Sequence, residues 1–127
     1  WQWPKPVQEP HPPVLVAGAG PNILKRVVAM GTGWMPVLTP QWDDSFAGKM
    51  TNLAELGDMM AETRQLEEEA GKARTTITAM GLPPEAKFVD QLSELGVERM
   101  VFSLPADSPE EGYEALNGYA DALKQYL

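Results

Sequence analysis

The chain repeats one pattern four times: a short run of the kind that forms a β-strand, then a longer stretch with the spacing of an amphipathic helix. The strand-like runs lie at residues 14–17, 33–36, 76–80 and 99–104. Continuous apolar runs without polar alternation are typical of strands buried on both faces, as in parallel sheets. Strand–helix alternation therefore predicts an α/β fold with a parallel sheet and right-handed crossovers.

The helical segments are predicted at residues 21–30, 52–70 and 83–95, and from residue 109 onward. The last one has the strongest start signal, because Ser108 can cap the helix, Pro109 suits its first position and Glu111 completes a capping box. An apolar stripe along this helix is predicted to be buried, and it comprises Tyr113, Leu116, Ala120 and Leu123.

Composition narrows the possible partners. The 127 residues carry a net charge of −8, so an anionic nucleic acid or membrane surface is an unfavourable partner. The chain has no cysteine, which excludes disulfide and thiolate chemistry. No apolar run is long enough to span a bilayer and no signal peptide is evident, so we expect a cytoplasmic protein.

The first thirteen residues, "WQWPKPVQEPHPP", stand outside the strand–helix rhythm. They hold five prolines and show no regular periodicity. Such a segment is typical of a connecting loop in mid-chain rather than of a domain's opening. We therefore expect the chain to be a piece of a longer protein.

The turn after the first strand, "GAGPN", is the clearest candidate binding motif. Glycines let the backbone approach a ligand, and a following helix directs free N–H groups at an anion, here expected from Asn22 and Ile23. The dinucleotide fingerprint G-x-G-x-x-G fails because Ile23 stands in the third glycine's place, and no Gly-Lys-Ser/Thr follows. A tight structural turn and a phosphate site are thus equally compatible with this spacing.

Two stretches together resemble a known family. The first, "KPVQEPHPPVLVAGAGPNILKRVVAMGTGWMP", has a proline-rich lead, a strand that ends in small residues, a helix, and a Gly-Trp pair that opens the next strand. The second, "FVDQLSELGVERMVFSLPADSPEEGYEALNGYADAL", is a helix–glycine–strand–helix unit. Between them, a long helix that ends "EEEAGKART" precedes a strand. In this order, over nearly the whole chain, these features resemble the luciferase-like monooxygenase family.

The resemblance implies an α/β fold made of parallel (β/α) units that form the C-terminal half of a TIM-type (β/α)₈ barrel. A complete barrel needs about 250 residues, so this chain supplies about half of one. Residues 1–13 are then a proline-rich lead-in loop, and residues 14–127 are a half-barrel of four β/α units. Catalytic residues cannot be assigned, because the missing half would carry much of the substrate pocket.

The resemblance further implies an oxidoreductase or monooxygenase that uses FMN or the deazaflavin coenzyme F-420 on a small-molecule substrate. It places the phosphate end of that cofactor at Gly18, Ala19, Gly20 and Asn22. Ala19 separates two glycines that the family more commonly has as a pair. The parent protein is then an enzyme, and the 127-residue chain alone is expected to be inactive.

Two other hypotheses stay open. One is a free-standing non-catalytic domain, for example a doubly wound four-stranded sheet that binds a small phosphate ligand. The other is a structural half-barrel that self-associates. A half-barrel leaves two open sheet edges and an uncovered strand face. Along the outer strands, Val14, Val16, Val101 and Ser103 alternate with residues that would face the helices, so one of these two sets lines the uncovered face. Exposed edges and apolar surface of this kind predict a homodimer.

The remaining candidate residues have simpler interpretations. His11 precedes the first strand, away from the carboxyl ends where active sites of this fold lie, so we interpret it as a loop residue. The pair Asp43 and Asp44 is interpreted as a solvated turn rather than a metal site, and no metal site is predicted. Trp34 is predicted to be a core aromatic. The residues expected to form a solvated helix face are Glu67, Glu68 and Glu69.

Overall fold

The structure is a computed structural model that describes residues 4, 7–9, 11–41, 48–105 and 107–127. Its strands are β1 (Leu15–Ala17), β2 (Gly33–Met35), β3 (Leu38–Thr39), β4 (Thr51–Asn52), β5 (Thr76–Met80) and β6 (Arg99–Val101). Its α-helices are α1 (Ile23–Met30), α2 (Leu56–Glu69), α3 (Ala86–Leu95) and α4 (Pro109–Ala122).

The main sheet has four strands in the order β1-β2-β5-β6, and every neighbouring pair is parallel. This confirms the predicted parallel α/β architecture. The strands of this sheet lie side by side in the order in which they occur in the sequence, without a reversal of direction across the sheet. A doubly wound sheet reverses its direction at a switch point, and the four described strands of this sheet show no such reversal.

The register of the strands puts the core on one face of the sheet. Val16, Trp34 and Ile77 lie side by side in β1, β2 and β5, and all three are buried. They share one hydrophobic cluster with side chains from three helices, including Val27 of α1 and Leu56 of α2. The cluster's contributors from α3 are Phe88 and Leu92. Helices α1, α2 and α3 therefore cover the same face.

The opposite face of the sheet carries the alternate residues. Met80 alternates with the buried Ala79 along β5, and its neighbour in β6 is Val101, which is 40% exposed. Val16 and Val101 consequently lie on opposite faces. The predicted grouping of Val16 and Val101 on one face was therefore wrong, because β6 pairs with β5 in a register that the sequence spacing alone does not reveal.

Several predicted element boundaries shift by one to four residues, and the segment between β2 and α2 differs most from the prediction. Helix α2 begins at Leu56 rather than residue 52, because Thr51–Asn52 forms β4 and a 3₁₀ turn follows at Leu53–Glu55. Asn52 caps that turn by accepting a hydrogen bond from the Ala54 amide at 3.1 Å. Strand β4 pairs in parallel with β3, which lies just beyond Pro36, and this small second sheet was not predicted.

Helix α4 starts as predicted but is not buried as predicted. The Ser108 hydroxyl accepts a hydrogen bond from the Glu111 amide at 3.2 Å, and Pro109 occupies the first helical position. Of the predicted stripe, only Leu123 is buried, whereas Tyr113 is 69% exposed and Leu116 is 50% exposed. The stripe exists, but the described chain contains nothing that covers its first two turns.

Glu67 corrects the prediction of a solvated acidic face, because it is buried at the inner side of α2 while Glu68 and Glu69 are exposed. Its carboxylate accepts hydrogen bonds from the amide and the hydroxyl of Thr75, just before β5, and forms a salt bridge with Arg64 at 2.9 Å. Burial by itself raises the pKa of Glu67, but the bonds from Thr75 and Arg64 outweigh it and lower the pKa below 4.5.

No helix in the described part of the chain is long and apolar enough to cross a membrane.

Because Glu67 is buried as a carboxylate, we predict that the stability of the folded chain decreases at acid pH. The pKa of Glu67 is lower in the folded chain than in the unfolded one. Its contribution to the free energy of unfolding is therefore present above the unfolded-state pKa and is lost as pH falls through the folded-state pKa. We expect Glu67→Gln to lower the free energy of unfolding at pH 7 by about 2 kcal/mol. Urea unfolding at pH 7 and pH 3 measures this.

Glu68→Gln is the matched control, since Glu68 is the next residue on α2 and is exposed. It should leave the unfolding midpoint at pH 7 nearly unchanged. The Glu67→Gln variant should also lose less stability on acidification than the unmodified chain. Equal losses for both chains between pH 7 and pH 3 would contradict the assignment.

A second stability prediction concerns the central strand β2. A Cβ on Gly33 would run into the side chains of Leu15 and Thr76 on the two neighbouring strands, and would lie 3.0 Å from the Thr76 carbonyl oxygen. We expect Gly33→Ala to cost about 1–3 kcal/mol of unfolding free energy. Gly118→Ala on α4, where a Cβ meets open space, should instead stabilise the chain by up to ~1 kcal/mol. Thermal unfolding of both variants gives the comparison.

Candidate functional site

The turn that joins β1 to α1 is shaped by two glycines. Gly18 has φ +129° and Gly20 has φ +104°, both in the region that side-chain-bearing residues rarely adopt. Ala19 lies between them with an ordinary φ, which allows a side chain at that position. The predicted site residues Gly18, Ala19, Gly20 and Asn22 therefore form one continuous turn at the carboxyl end of β1.

The hydrogen bonds of the turn decide which amides are available. Helix α1 begins at Ile23 rather than Pro21, and the Ile23 amide donates to the Gly20 carbonyl at 3.1 Å. Ile23 is thus not a free donor, and the prediction for its amide was wrong. The amides of Leu24 and Lys25 come next in the first helical turn. Neither has an acceptor among the residues that the structure describes.

The electrostatics of this helix start suit an anion. The Asn22 side chain makes no capping hydrogen bond, and the first turn of α1 contains no acidic residue. The partial positive charge of the helix start is therefore left without a neighbouring counter-charge from its own helix. Asn22 is exposed, so a ligand can reach it. In an acidic chain, this is a local environment in which a phosphate group would be stabilised.

A second segment approaches the turn from a distant part of the sequence. The Cα of Gly48 lies 3.9 Å from the position that a Cβ on Gly20 would occupy. Lys49 follows Gly48 directly in the chain and is exposed. A positively charged side chain is therefore attached to the residue next to the one that approaches Gly20. Lys49 was not among the predicted site residues. A Gly-Lys pair at the end of a loop is a weak signal, and only the folded chain brings it near residue 20.

The other candidate residues lie apart from this turn. His11 is exposed ahead of β1, with its Nδ1 2.8 Å from the Pro12 carbonyl oxygen. Trp34 is fully buried on the helix-covered face, which confirms it as a core aromatic. Asp43 and Asp44 lie outside the described residues. Within the described ranges, no three side chains of His, Cys, Asp or Glu come together as metal ligands would.

Three grooves of the described chain lie away from the turn. They have volumes of about 310 to 360 Å³ and lie between α1 and α2, beside β6, and along α4. The residues of the turn line none of these three. These three grooves therefore do not provide a flavin-sized cavity beside the turn.

No known protein family, curated protein or solved structure that was compared with the chain matches it. The family resemblance therefore stays a prediction made from the residues.

Proposed function

We propose that this chain is the C-terminal part of a flavin- or deazaflavin-dependent oxidoreductase of the luciferase-like monooxygenase type, and that it holds the phosphate end of the cofactor. The observation that carries the proposal is the turn after β1. It combines two glycines of positive φ with the amides of Leu24 and Lys25, which have no acceptor among the described residues, at a helix whose first turn contains no acidic residue. These are the features that an anion site at a helix N-terminus requires.

The sheet supports a barrel-type parent. Four parallel strands follow one another in sequence order, and helices α1, α2 and α3 cover one face only. A (β/α)₈ barrel has this arrangement, because its helices form one outer ring. Ligands of such barrels bind at the carboxyl ends of the strands, and Gly18 directly follows the carboxyl end of β1.

The roles within this proposal are divided between chain and cofactor. FMN or coenzyme F-420 supplies the redox chemistry of its ring when it is bound. This chain contributes the backbone of Gly18, Ala19 and Gly20, the exposed Asn22 and the amides of the first turn of α1. The ring and the substrate need walls that the described residues do not build. The 127-residue chain alone is accordingly expected to show no turnover.

A non-catalytic domain that binds a small phosphate ligand is the second candidate. The position of the turn outside the three grooves named above favours it, since a small phosphorylated molecule has no flavin ring to enclose. The two candidates differ in one measurable respect. The oxidoreductase proposal requires FMN or F-420 to bind more tightly than inorganic phosphate does, whereas the alternative requires no such preference.

Substitution at Gly20 tests the site. A valine there would place its side chain over the turn and strain the backbone at φ +104°. We expect Gly20→Val to weaken FMN binding to the chain at least tenfold, which corresponds to about 1.4 kcal/mol. Titration monitored by flavin fluorescence measures the affinity. Riboflavin, which lacks the phosphate, should bind the chain and the variant equally.

Gly96→Val is the control for backbone strain alone. Gly96 also has a positive φ, +83°, but it ends α3 instead of opening α1. This variant should lose stability and keep its FMN affinity. An FMN affinity unchanged by Gly20→Val, or an equal loss for FMN and riboflavin, would remove the basis of the proposal.

A further inference from the structure

One dipeptide of the chain combines an asparagine with the residue that hinders its reactions least. Asn117 is followed by Gly118, and this is the only Asn-Gly pair in the sequence. The backbone nitrogen of the glycine can attack the side-chain carbonyl carbon of the asparagine, because glycine has no Cβ to obstruct the approach. The other two asparagines, Asn22 and Asn52, precede an isoleucine and a leucine. Both members of the Asn-Gly pair are exposed, so water reaches them.

The pair lies inside helix α4, and the helical backbone prevents this attack. The reaction closes a five-membered ring through the two residues, and that ring cannot form at the helical ψ of about −42°. In the helix, the Gly118 amide also points along the axis towards the preceding turn. Asn117 can therefore react only while α4 is open around it. How firmly α4 is held decides the rate.

Helix α4 is the α-helix that the core holds least. It contains no buried residue, whereas each of the other three α-helices contains at least two. None of its residues belongs to the hydrophobic cluster. Tyr119 links it to the residues after β6, since its hydroxyl donates to the Ser103 carbonyl at 2.9 Å and its ring contacts Phe102 edge-on. Opening α4 breaks this link and leaves the core intact.

The C-terminal half of α4 is also the weaker half in its own sequence. Gly118 lowers the helix propensity of this half. Asp121 puts a negative charge into the last turn, which contains no basic residue to offset the negative end of the helix dipole. The other end is capped by the Ser108 hydroxyl. We therefore expect local opening in the half that contains Asn117.

We propose that Asn117 is a deamidation site, at which the open form of α4 changes the chain irreversibly. The Gly118 nitrogen bonds to the Asn117 Cγ and loses its proton to water, while the side-chain nitrogen leaves as ammonia. The product is a cyclic imide. One water molecule then breaks either of the two C–N bonds of the imide, which gives aspartate or isoaspartate. Water is the only co-reactant, and nothing is oxidised or reduced.

The products oppose the return of the helix. Aspartate at this position adds a negative charge three residues after Glu114 and four residues before Asp121. Isoaspartate adds a methylene to the main chain, so the helical hydrogen bonds cannot keep their register on both sides of it. Tyr119 lies two residues further on, and its hydrogen bond to Ser103 is lost with the helix. Deamidation thus acts as a one-way switch that releases the end of α4, independently of the proposed cofactor.

The first test is incubation of the whole folded chain at neutral pH, followed by digestion and mass spectrometry of the peptides. Asn117 should gain the mass that replacing –NH₂ by –OH adds, with the isoaspartyl form separated by chromatography. Asn22 and Asn52 are internal controls and should stay unmodified. Asn117 that stays intact in the folded chain, or that reacts no faster than the other two asparagines, would overturn the proposal.

The second test asks whether α4 controls the rate. Asp121→Lys strengthens the last turn of α4 without altering the reacting pair, and should slow deamidation of the folded chain about fivefold. In urea, where the helix is absent, the variant and the unmodified chain should react equally fast. Glu62→Lys is the matched control, since it makes the same charge change at an exposed residue of α2. It should leave both rates unchanged. An equal rate for Asp121→Lys and the unmodified chain when folded would refute control by α4.

The third test separates local opening from complete unfolding. Glu67→Gln weakens the core and leaves α4 unaltered, so it should not change the deamidation rate of the folded chain. A rate that rises in step with the measured loss of global stability would show that Asn117 reacts only in the unfolded chain, and would refute the switch. In the purified isoaspartyl form, hydrogen exchange should be faster for the amides of residues 117–122 and unchanged for β5. Unchanged exchange in α4 would likewise contradict it.

Discussion

The burial of Trp34 at the centre of the sheet holds the strands and the helices that cover them together. Its strand, β2, has a parallel neighbour on each side, and its side chain is fully buried between the sheet and the helices. A buried tryptophan removes a large apolar area from water, which is a major share of what a core of this size can supply. Gly33 before it lets β1 and β5 approach closely, since any side chain there would collide with both.

The candidate site follows from that sheet. Once β1 is aligned with β2, residues 18–22 leave the sheet at its carboxyl end, and the burial of Ile23, Leu24 and Val27 fixes the direction of α1. The positive φ values of Gly18 and Gly20 make the change of direction possible without strain. Backbone groups held in this way by a packed helix are preorganised. Several weak contacts to an anion can then contribute to the binding free energy together, because little conformational entropy is lost when the anion binds.

The strand–helix pattern and the position of the glycine turn could be predicted from local residues. The third predicted strand, residues 76–80, is β5 and has the predicted bounds, and Ser108 caps α4 as expected. Prediction failed where a residue's environment depends on how the chain folds back on itself. Glu67 is an acidic residue in an acidic run, and only the approach of Thr75 and Arg64 makes its burial favourable. The Ile23 amide is lost as a donor because the turn closes onto the Gly20 carbonyl.

Local sequence patterns are enough to predict four strand–helix units, their parallel sheet and the turn after β1, because apolar periodicity, proline and glycine act over a few residues at a time. Contacts between distant parts of the chain decide which face each strand buries, that β3 and β4 pair, and that Gly48 comes near Gly20. They also decide that Tyr113 and Leu116 stay exposed. A periodic apolar stripe specifies a side that can be buried, but whether a partner surface is present to bury it is a property of the assembled fold.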